Sequence, residues 1–380
     1  MTSSRVTSSQ KLSNQTESAS AFRTDRSLIK TRRASHSRPQ KKSRGATYLK
    51  RALVITLTVL LLFFGTVGGY AAWYLADLNK TFEIDPEKLS KIEDELKERV
   101  GNEPFYVLLL GSDSREGSAI PNISDNPDYG EGNERSDVMM LLRIDILNQL
   151  ITVISIPRDT PIVYPDGSIG KINEAYNIGG AAYSIRVVSE LTGVDISHYA
   201  EIHFSEFEKM IDSLGGIEIN VPMQLSYQDA LTGETITLQP GLQTLNGKQA
   251  QIFVRARHEY VSEQDEKRQS NNRILLEALI KKIVSKPVTE LPDVIRTVAS
   301  CIKTDVRSPE LISLAFAFSL AKGRMTLYDG TGPSAGGIRE DVGGLWLCYE
   351  NPEGWAKLMA AVNAGEDPKS VNVESTAIIR

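Results

Sequence analysis

Arginines and aspartates placed where apolar runs begin or end are the residues of this chain whose types could do chemistry. Gly111-Ser112-Asp113-Ser114-Arg115 follows the run Phe105–Leu110, and Arg135-Ser136-Asp137 precedes Val138–Ile146. Pro157-Arg158-Asp159 ends Ile151–Ile156, and Arg255-Ala256-Arg257 closes Ala250–Ala256. A fifth group, Asp265-x-x-Arg268, continues to Asn272, which lies four residues after Arg268 and so on the same face of a helix. Taken singly, an Asp after a strand is commonly a turn or cap, and a surface ion pair contributes only ~0–1 kcal/mol. Taken together, Arg158, Arg255, Arg257 and Arg268 supply planar, forked donors suited to multidentate capture of phosphate. Asp113 and Asp137 supply the oxygen ligands that Mg²⁺ takes when it bridges phosphates. On a strand, residues i and i+2 share a face, so a strand over Ala250–Ala256 would point Arg255 and Arg257 together, an arrangement that calls for an anion.

Other chemistries are excluded by what the pattern lacks. Gly332-Pro333-Ser334-Ala335-Gly336 fits GxSxG, yet a nucleophile elbow needs a following helix and a later His, and the last His is His258. The chain has no GxxxxGK[ST] and no HExxH, and its four His are scattered. Cys301 and Cys348 form neither a zinc ribbon nor a disulfide framework. One bridge between them, or two buried thiols, are both compatible with the sequence.

These groups require strands and helices in alternation. Phe105–Leu110, Val138–Ile146 and Ile151–Ile156 are near-continuous apolar runs, as in central strands of one sheet. Helices are predicted over 181–191, stopped by Gly193, over 205–214, and over 269–284. Ile217, Ile219 and Val221 alternate with Glu218 and Asn220 as a half-buried strand. Residues 225–238 read as a loop or hairpin, 250–256 as a strand, and 355–364 as loosely helical. The alternation argues an α/β fold.

Charge divides the chain. Residues 1–51 hold 13 Lys/Arg against 2 Asp/Glu, net +11, leaving 30 against 46, net −16, for the remaining 329 residues. An acidic bulk argues against a general nucleic-acid binder. Between the two parts, Ala52–Ala76 is an uncharged run of 25 residues, ~38 Å long as a helix at ~1.5 Å per residue, enough for a bilayer core of ~30 Å. The basic flank places residues 1–51 in the cytoplasm and the bulk outside. The expected organisation is a disordered basic tail (1–51), a transmembrane signal anchor (52–76), an amphipathic spacer helix (77–101), an α/β domain that carries the candidate groups (102–330) and an extension of unknown role (331–380).

The ordered series LLLGSDSR, RSDVMMLL, SIPRDT, KINEAYNIGG, HYAEIHFSEFEKMIDSLGGIEINVP, LNGKQAQIFVRARH and DEKRQSNNR, behind one N-terminal anchor, resembles the LytR-CpsA-Psr family over about residues 102–285. The resemblance implies an α/β/α sandwich with a central mixed sheet enclosing a polyprenyl chain, on the outer face of a bacterial plasma membrane. It implies transfer of a glycopolymer with its phosphate from undecaprenyl pyrophosphate to a peptidoglycan hydroxyl, building teichoic acid, capsule or a related polymer. Asp113 and Asp137 match the positions that hold Mg²⁺ (or Mn²⁺), while Arg158, Arg255, Arg257 and Arg268, with Asn272, match those that grip the pyrophosphate. Asp113, Asp137 and Arg158 are thereby the catalytic candidates, and Asp113 or Asp159 could serve as base. Alternatives are a pyrophosphatase releasing the polymer to water, a ligase to a surface glycoprotein, and a non-catalytic regulator that binds lipid-linked sugars. The chain departs from the family where Asn271 and Asn272 replace the usual Arg-Gln, and in the insertion Ser118–Glu134.

Overall fold

The computed structural model describes residues 55–62, 66, 69, 84–112, 136–228, 235–256, 264–321 and 323–374. The chain divides into two units after Phe64. In the first, residues 55–62 are helical and expose Ile55, Leu57 and Leu61. Among the described residues no helix is long and apolar enough to cross a membrane; most of the predicted anchor and all of the basic tail lie outside them. The insertion 118–134 also lies outside them.

In the second unit, the three apolar runs become β1 (Phe105–Ser112), β2 (Ser136–Asp145) and β3 (Leu150–Ser155). With β6 (Ile196–His203), β11 (Ile302–Thr304) and β12 (Thr326–Thr331) they form a six-stranded mixed sheet in the order β11-β6-β1-β2-β3-β12. β1 runs parallel to β6 and antiparallel to β2, and β12 runs parallel to β3. Because side chains alternate along a strand, β1 feeds two cores. Leu108 and Leu110 face α2 (Ala175–Thr192) and α8 (Pro352–Ala364), whereas Leu109 faces α5 (Gln264–Ser285) and Phe318 of α7 (Ser308–Leu320). Helices therefore cover both faces of a sheet buried on both sides, an α/β/α sandwich.

The remaining elements build a third core beside this one. It joins α3 (Phe204–Ser213), β7 (Ile217–Val221), β8 (Leu225–Gln228), β9 (Thr235–Leu238), β10 (Gly241–Leu245), α4 (Gly247–Arg255) and one face of α5. β8 and β9 make the hairpin that 225–238 allowed. α2 carries a bend at Gly179-Gly180, and its regular part begins at 181 as expected; Gly193 ends it in the left-handed region at φ 68°, where a side chain would be strained.

Three expectations need correction. Residues 250–255 are helical and not a strand, with Ala256 just past the helix end. Asn246 accepts from the backbone N–H of Gln249, whose side chain accepts in return from Asn246 N–H, a reciprocal cap that starts a helix one residue later. α4 then packs so close to α3 that a Cβ on Gly247 would lie 2.3 Å from the Glu208 carbonyl oxygen. Arg255 therefore ends a helix and not a strand, and Arg257 lies outside the described residues. Among the described residues of the spacer, 84–101, only α1 (Pro86–Glu93) is helical, capped by the Asp85 carboxylate; Ile92 enters the first core, while Val100 is exposed. Finally, the segment after 331 belongs to the sandwich, since Trp355, Leu358, Met359 and Val362 of α8 complete the core under β1 and β2.

Candidate active site

Three element ends converge. β2 begins at Ser136-Asp137, β3 runs out into Pro157-Arg158-Asp159, and α5 starts with Asp265, Arg268 and Gln269 in its first turns. The 157–160 loop is a tight turn: Thr160 donates through both its N–H and its hydroxyl to the Pro157 carbonyl, at 3.1 and 2.7 Å. Asn173 N–H donates to the Arg158 carbonyl at 3.3 Å. Backbone bonds thus fix the arginine before its side chain makes any contact.

Arg158 lies among three carboxylates. Its NH1 is 3.2 Å from Asp137 Oδ1, and its Nε is 3.3 Å from Asp265 Oδ1 and 3.5 Å from Asp159 Oδ2. Lys171 Nζ donates to Asp159 Oδ1 at 2.5 Å. Arg268, almost fully buried, donates twice to Asp265 Oδ1 at 2.9 and 3.1 Å and once to the Asp137 carbonyl at 2.7 Å. Gln269 Nε2 donates to Asp265 Oδ2 at 3.0 Å. Three cations and three carboxylates are interleaved, so among the described residues the arginines are neutralised and do not repel one another. Arg268 is a strut that holds the other groups; Arg158, at 25% side-chain exposure, is the donor open to a ligand.

The electrostatics follow from this packing. Burial alone would push the Asp265 carboxyl up, but Arg268 and Arg158, with hydrogen bonds from Gln269 and Arg268, outweigh it and hold the group below the usual carboxylate value. Burial likewise disfavours the Arg158 cation, and Asp265, Asp159 and Asp137 reverse that and raise it. The site keeps the Arg158 cation beside the Asp265 carboxylate.

Of the expected metal pair, Asp137 is the member among the described residues, and one of its oxygens could serve a hard divalent cation. Its carboxylate is 29% exposed, with one oxygen on Arg158 and the other without a hydrogen bond among the described residues. No group of three or more His, Cys, Asp or Glu that could hold a metal occurs among the described residues, and Asp113 lies outside them, as does Arg257. Arg255 closes α4; burial raises the Glu208 carboxyl of α3, and the charges of Lys248 and Arg255 only partly oppose that rise. Asn272 lies 5% exposed in the wall of an apolar pocket.

That pocket, of about 210 Å³, runs between the sheet and α5 and is lined by such residues as Leu109, Val138, Met140, Phe207 and Leu279. It is carried on the same elements as the charged groups. Gly111 precedes Asp113 by two residues, Val138 follows Asp137, and Asn272 lies one helical turn past Arg268. An apolar pocket and an ionic cluster are thus built from neighbouring residues of β2 and α5, which suits an amphiphile with an anionic head.

Sequence reasoning passed over Lys171, Gln269 and Arg273. Arg273 is buried and donates to Asp329 Oδ2, Ser155 Oγ and Thr331 Oγ1 at 3.0, 2.9 and 2.6 Å, tying α5 to β3 and β12. Its position one place past Asn272 was the available signal; Lys171 had none, since its partner Asp159 meets it only through β4 (Pro161–Val163) and β5 (Ile169–Lys171). Ser334 donates to Glu266 at 2.9 Å and to Glu374 at 3.3 Å, so the GxSxG serine serves the packing of the C-terminal segment. Cys301 and Cys348 are both free and buried.

Comparison with known proteins agrees with this architecture. A polyisoprenyl-teichoic acid–peptidoglycan teichoic acid transferase, TagU, of Enterococcus faecalis is 27% identical over 73% of this chain and 86% of its own length. TagU of Bacillus subtilis is 28% identical over 76% of this chain and 90% of its own. The crystal structure of B. subtilis TagV shares the fold with a TM-score of 0.56, at 23% identity, over 71% of this chain and 100% of that one. The LytR_cpsA_psr family model matches residues 74–332, more than half of the chain, and the protein therefore belongs to the LytR_cpsA_psr family.

Proposed function

We propose that this protein is an extracytoplasmic transferase, anchored through residues 52–76 in a bacterial plasma membrane. It moves a glycopolymer with its phosphate from undecaprenyl pyrophosphate to a muramic-acid hydroxyl of peptidoglycan. That the chain is a transferase rests on its family and on relatives named for teichoic acid transfer. The observation that carries the rest is that the ionic cluster and the apolar pocket are built on neighbouring residues of β2 and α5, an arrangement that fits a pyrophosphate head and the first isoprene units of its tail.

Phosphoryl transfer asks of a protein chiefly positioning and charge neutralisation. Arg158 donates to the pyrophosphate, and Arg268 holds Asp137 and Asp265 in place around it. Asp113 and Asp137 would hold Mg²⁺ (or Mn²⁺), which would supply further neutralisation of phosphate charge. The acceptor oxygen forms a bond to the sugar-bearing phosphorus, the bond from that phosphorus to the bridging oxygen breaks, and polyprenyl monophosphate leaves. The hydroxyl proton passes to a carboxylate. Asp113 and Asp159 are the candidates, and Asp159 is the one that lines a described pocket. Arg257 is assigned to the same grip by its place in the motif.

The test is to incubate the full chain in detergent with a polyprenyl-pyrophosphate oligosaccharide and peptidoglycan fragments, with and without Mg²⁺, and to weigh the products. The expected product is an acceptor heavier by the oligosaccharide and one phosphate. Free oligosaccharide phosphate with an unchanged acceptor would instead establish a pyrophosphatase.

A further inference from the structure

The β13–β14 hairpin (Gly336–Arg339 and Leu345–Cys348) lies beyond residue 332, where the family match ends. It is nonetheless fastened to the active-site loop. Cys348 N–H donates to the carbonyl of Asp159, the neighbour of Arg158, at 2.9 Å, and Tyr349 N–H donates to the Ala335 carbonyl at 2.8 Å. This places Trp346 in the wall of a pocket of about 290 Å³ that it shares with Asp159, Asp265 and Gln269.

Two features of that pocket have no structural use. Trp346 is 43% exposed and pairs across the hairpin with Ile338, itself 66% exposed, so a large aromatic surface is held outward by a fastened element instead of being buried. In the same lining Gln269 is 5% exposed; its Nε2 is satisfied by Asp265, but its Oε1 has no partner among the described residues. A buried acceptor left unpaired calls for a donor from elsewhere. An aromatic platform that shares a pocket with carboxylate and amide acceptors matches a sugar ring, which has an apolar C–H face and a rim of hydroxyl donors.

We infer that this pocket is a saccharide subsite, in which Trp346 stacks on a pyranose whose hydroxyls donate to Gln269 Oε1 and the wall carboxylates. The inference rests on the transfer reading above for why a sugar should come beside Arg158. The ring belongs either to the acceptor glycan or to the first sugar of the donor.

Binding of two probes to the full chain in detergent decides between these sources: a phosphate-free peptidoglycan glycan fragment, and a polyprenyl-pyrophosphate disaccharide. Trp346→Ala should weaken at least one probe ten-fold or more, and Trp346→Phe, which keeps a ring, should weaken it less. Loss confined to the phosphate-free fragment places the acceptor in the subsite; loss confined to the lipid-linked disaccharide places the donor sugar there. Gln269→Leu should weaken the same probe. Equal binding of both probes by the wild type and Trp346→Ala overturns the inference, as does a Trp346 emission shift that answers to lipid vesicles and to neither sugar. Transfer measured in parallel separates the two readings. A wild type that binds sugar through Trp346 yet transfers nothing sinks only the transfer reading. A wild type that transfers normally, with donor and acceptor KM unmoved in Trp346→Ala, sinks only the subsite.

Discussion

Arg268→Ala should cost more stability than any other single loss in the ionic cluster. The side chain is 4% exposed and makes three hydrogen bonds, two to the Asp265 carboxylate and one to the Asp137 carbonyl. Removing one partner of a buried pair costs ~3–5 kcal/mol. Asp265, however, has 30% side-chain exposure and keeps Arg158 at 3.3 Å and Gln269 at 3.0 Å, which places the loss at the low end. About 3 kcal/mol is expected, and at ~2 °C per kcal/mol for a large domain the melting temperature should fall by about 6 °C. Arg158→Ala removes a more exposed side chain whose partners Asp159 and Asp265 retain Lys171 and Arg268, so about 1–2 kcal/mol is expected. Thermal melts of the two variants in the same detergent, followed by far-ultraviolet circular dichroism, give the comparison. If Arg268→Ala melts within 2 °C of the wild type, or Arg158→Ala is the less stable variant, the division into strut and ligand donor is wrong.

Gly247→Ala should lower stability by about 2 kcal/mol through overpacking of α4 on α3, since the added methyl would meet the Glu208 backbone; a neutral result in denaturant melts would refute that contact. Asp265 and Asp329 are both held below the ordinary carboxylate value, burial being outweighed by Arg268 and Arg158 in one case and by Lys369 and Arg273 in the other. Their contribution is complete above the unfolded value of ~3.9 and disappears as pH falls through the lower folded values. Stability from chemical denaturation should therefore drop between about pH 4 and pH 2, and Asp265→Asn should flatten the drop; stability that rises on acidification would contradict the pairing. Cys348, whose thiol is pushed up to about 12 by burial and by Asp159, Glu374 and Asp265, should resist alkylation at pH 8 in the native protein. Both thiols should react once the chain is denatured without reductant, and an intact mass 2 Da below the dithiol value would show a bridge instead.

What the sequence made legible follows the distance over which each signal acts. β1, β2 and β3 were plain because their runs are apolar on both faces, and α5 because it is long. The run 250–256 was misjudged because seven apolar-rich residues do not distinguish a buried strand from a buried helix. The deciding signal, Asn246-x-x-Gln249, lay just upstream as a helix start. β12 was hidden because its pairing with β3 joins residue 326 to residue 150, and nothing local in Thr326–Thr331 marks it as part of that sheet. The candidate site divides in the same way. Asp137, Arg158 and Arg268 stand at element ends, where chemistry is expected, and the structure brings them together. Lys171 and Trp346 reach the site only through hairpins whose docking is tertiary. Arg255, credited with a strand face, changed its surroundings once its segment was helical.

Binding of a short-chain polyprenyl pyrophosphate by the wild type and by Arg158→Ala, measured by titration calorimetry with the fold verified by circular dichroism, tests the placement of the anion site most directly. A lost charge-assisted hydrogen bond of ~1.5–3 kcal/mol corresponds to affinity reduced by about 13- to 150-fold. A loss in that range, with the fold intact, is the predicted result. Unchanged affinity in Arg158→Ala would contradict the account, because the pyrophosphate would then lie elsewhere.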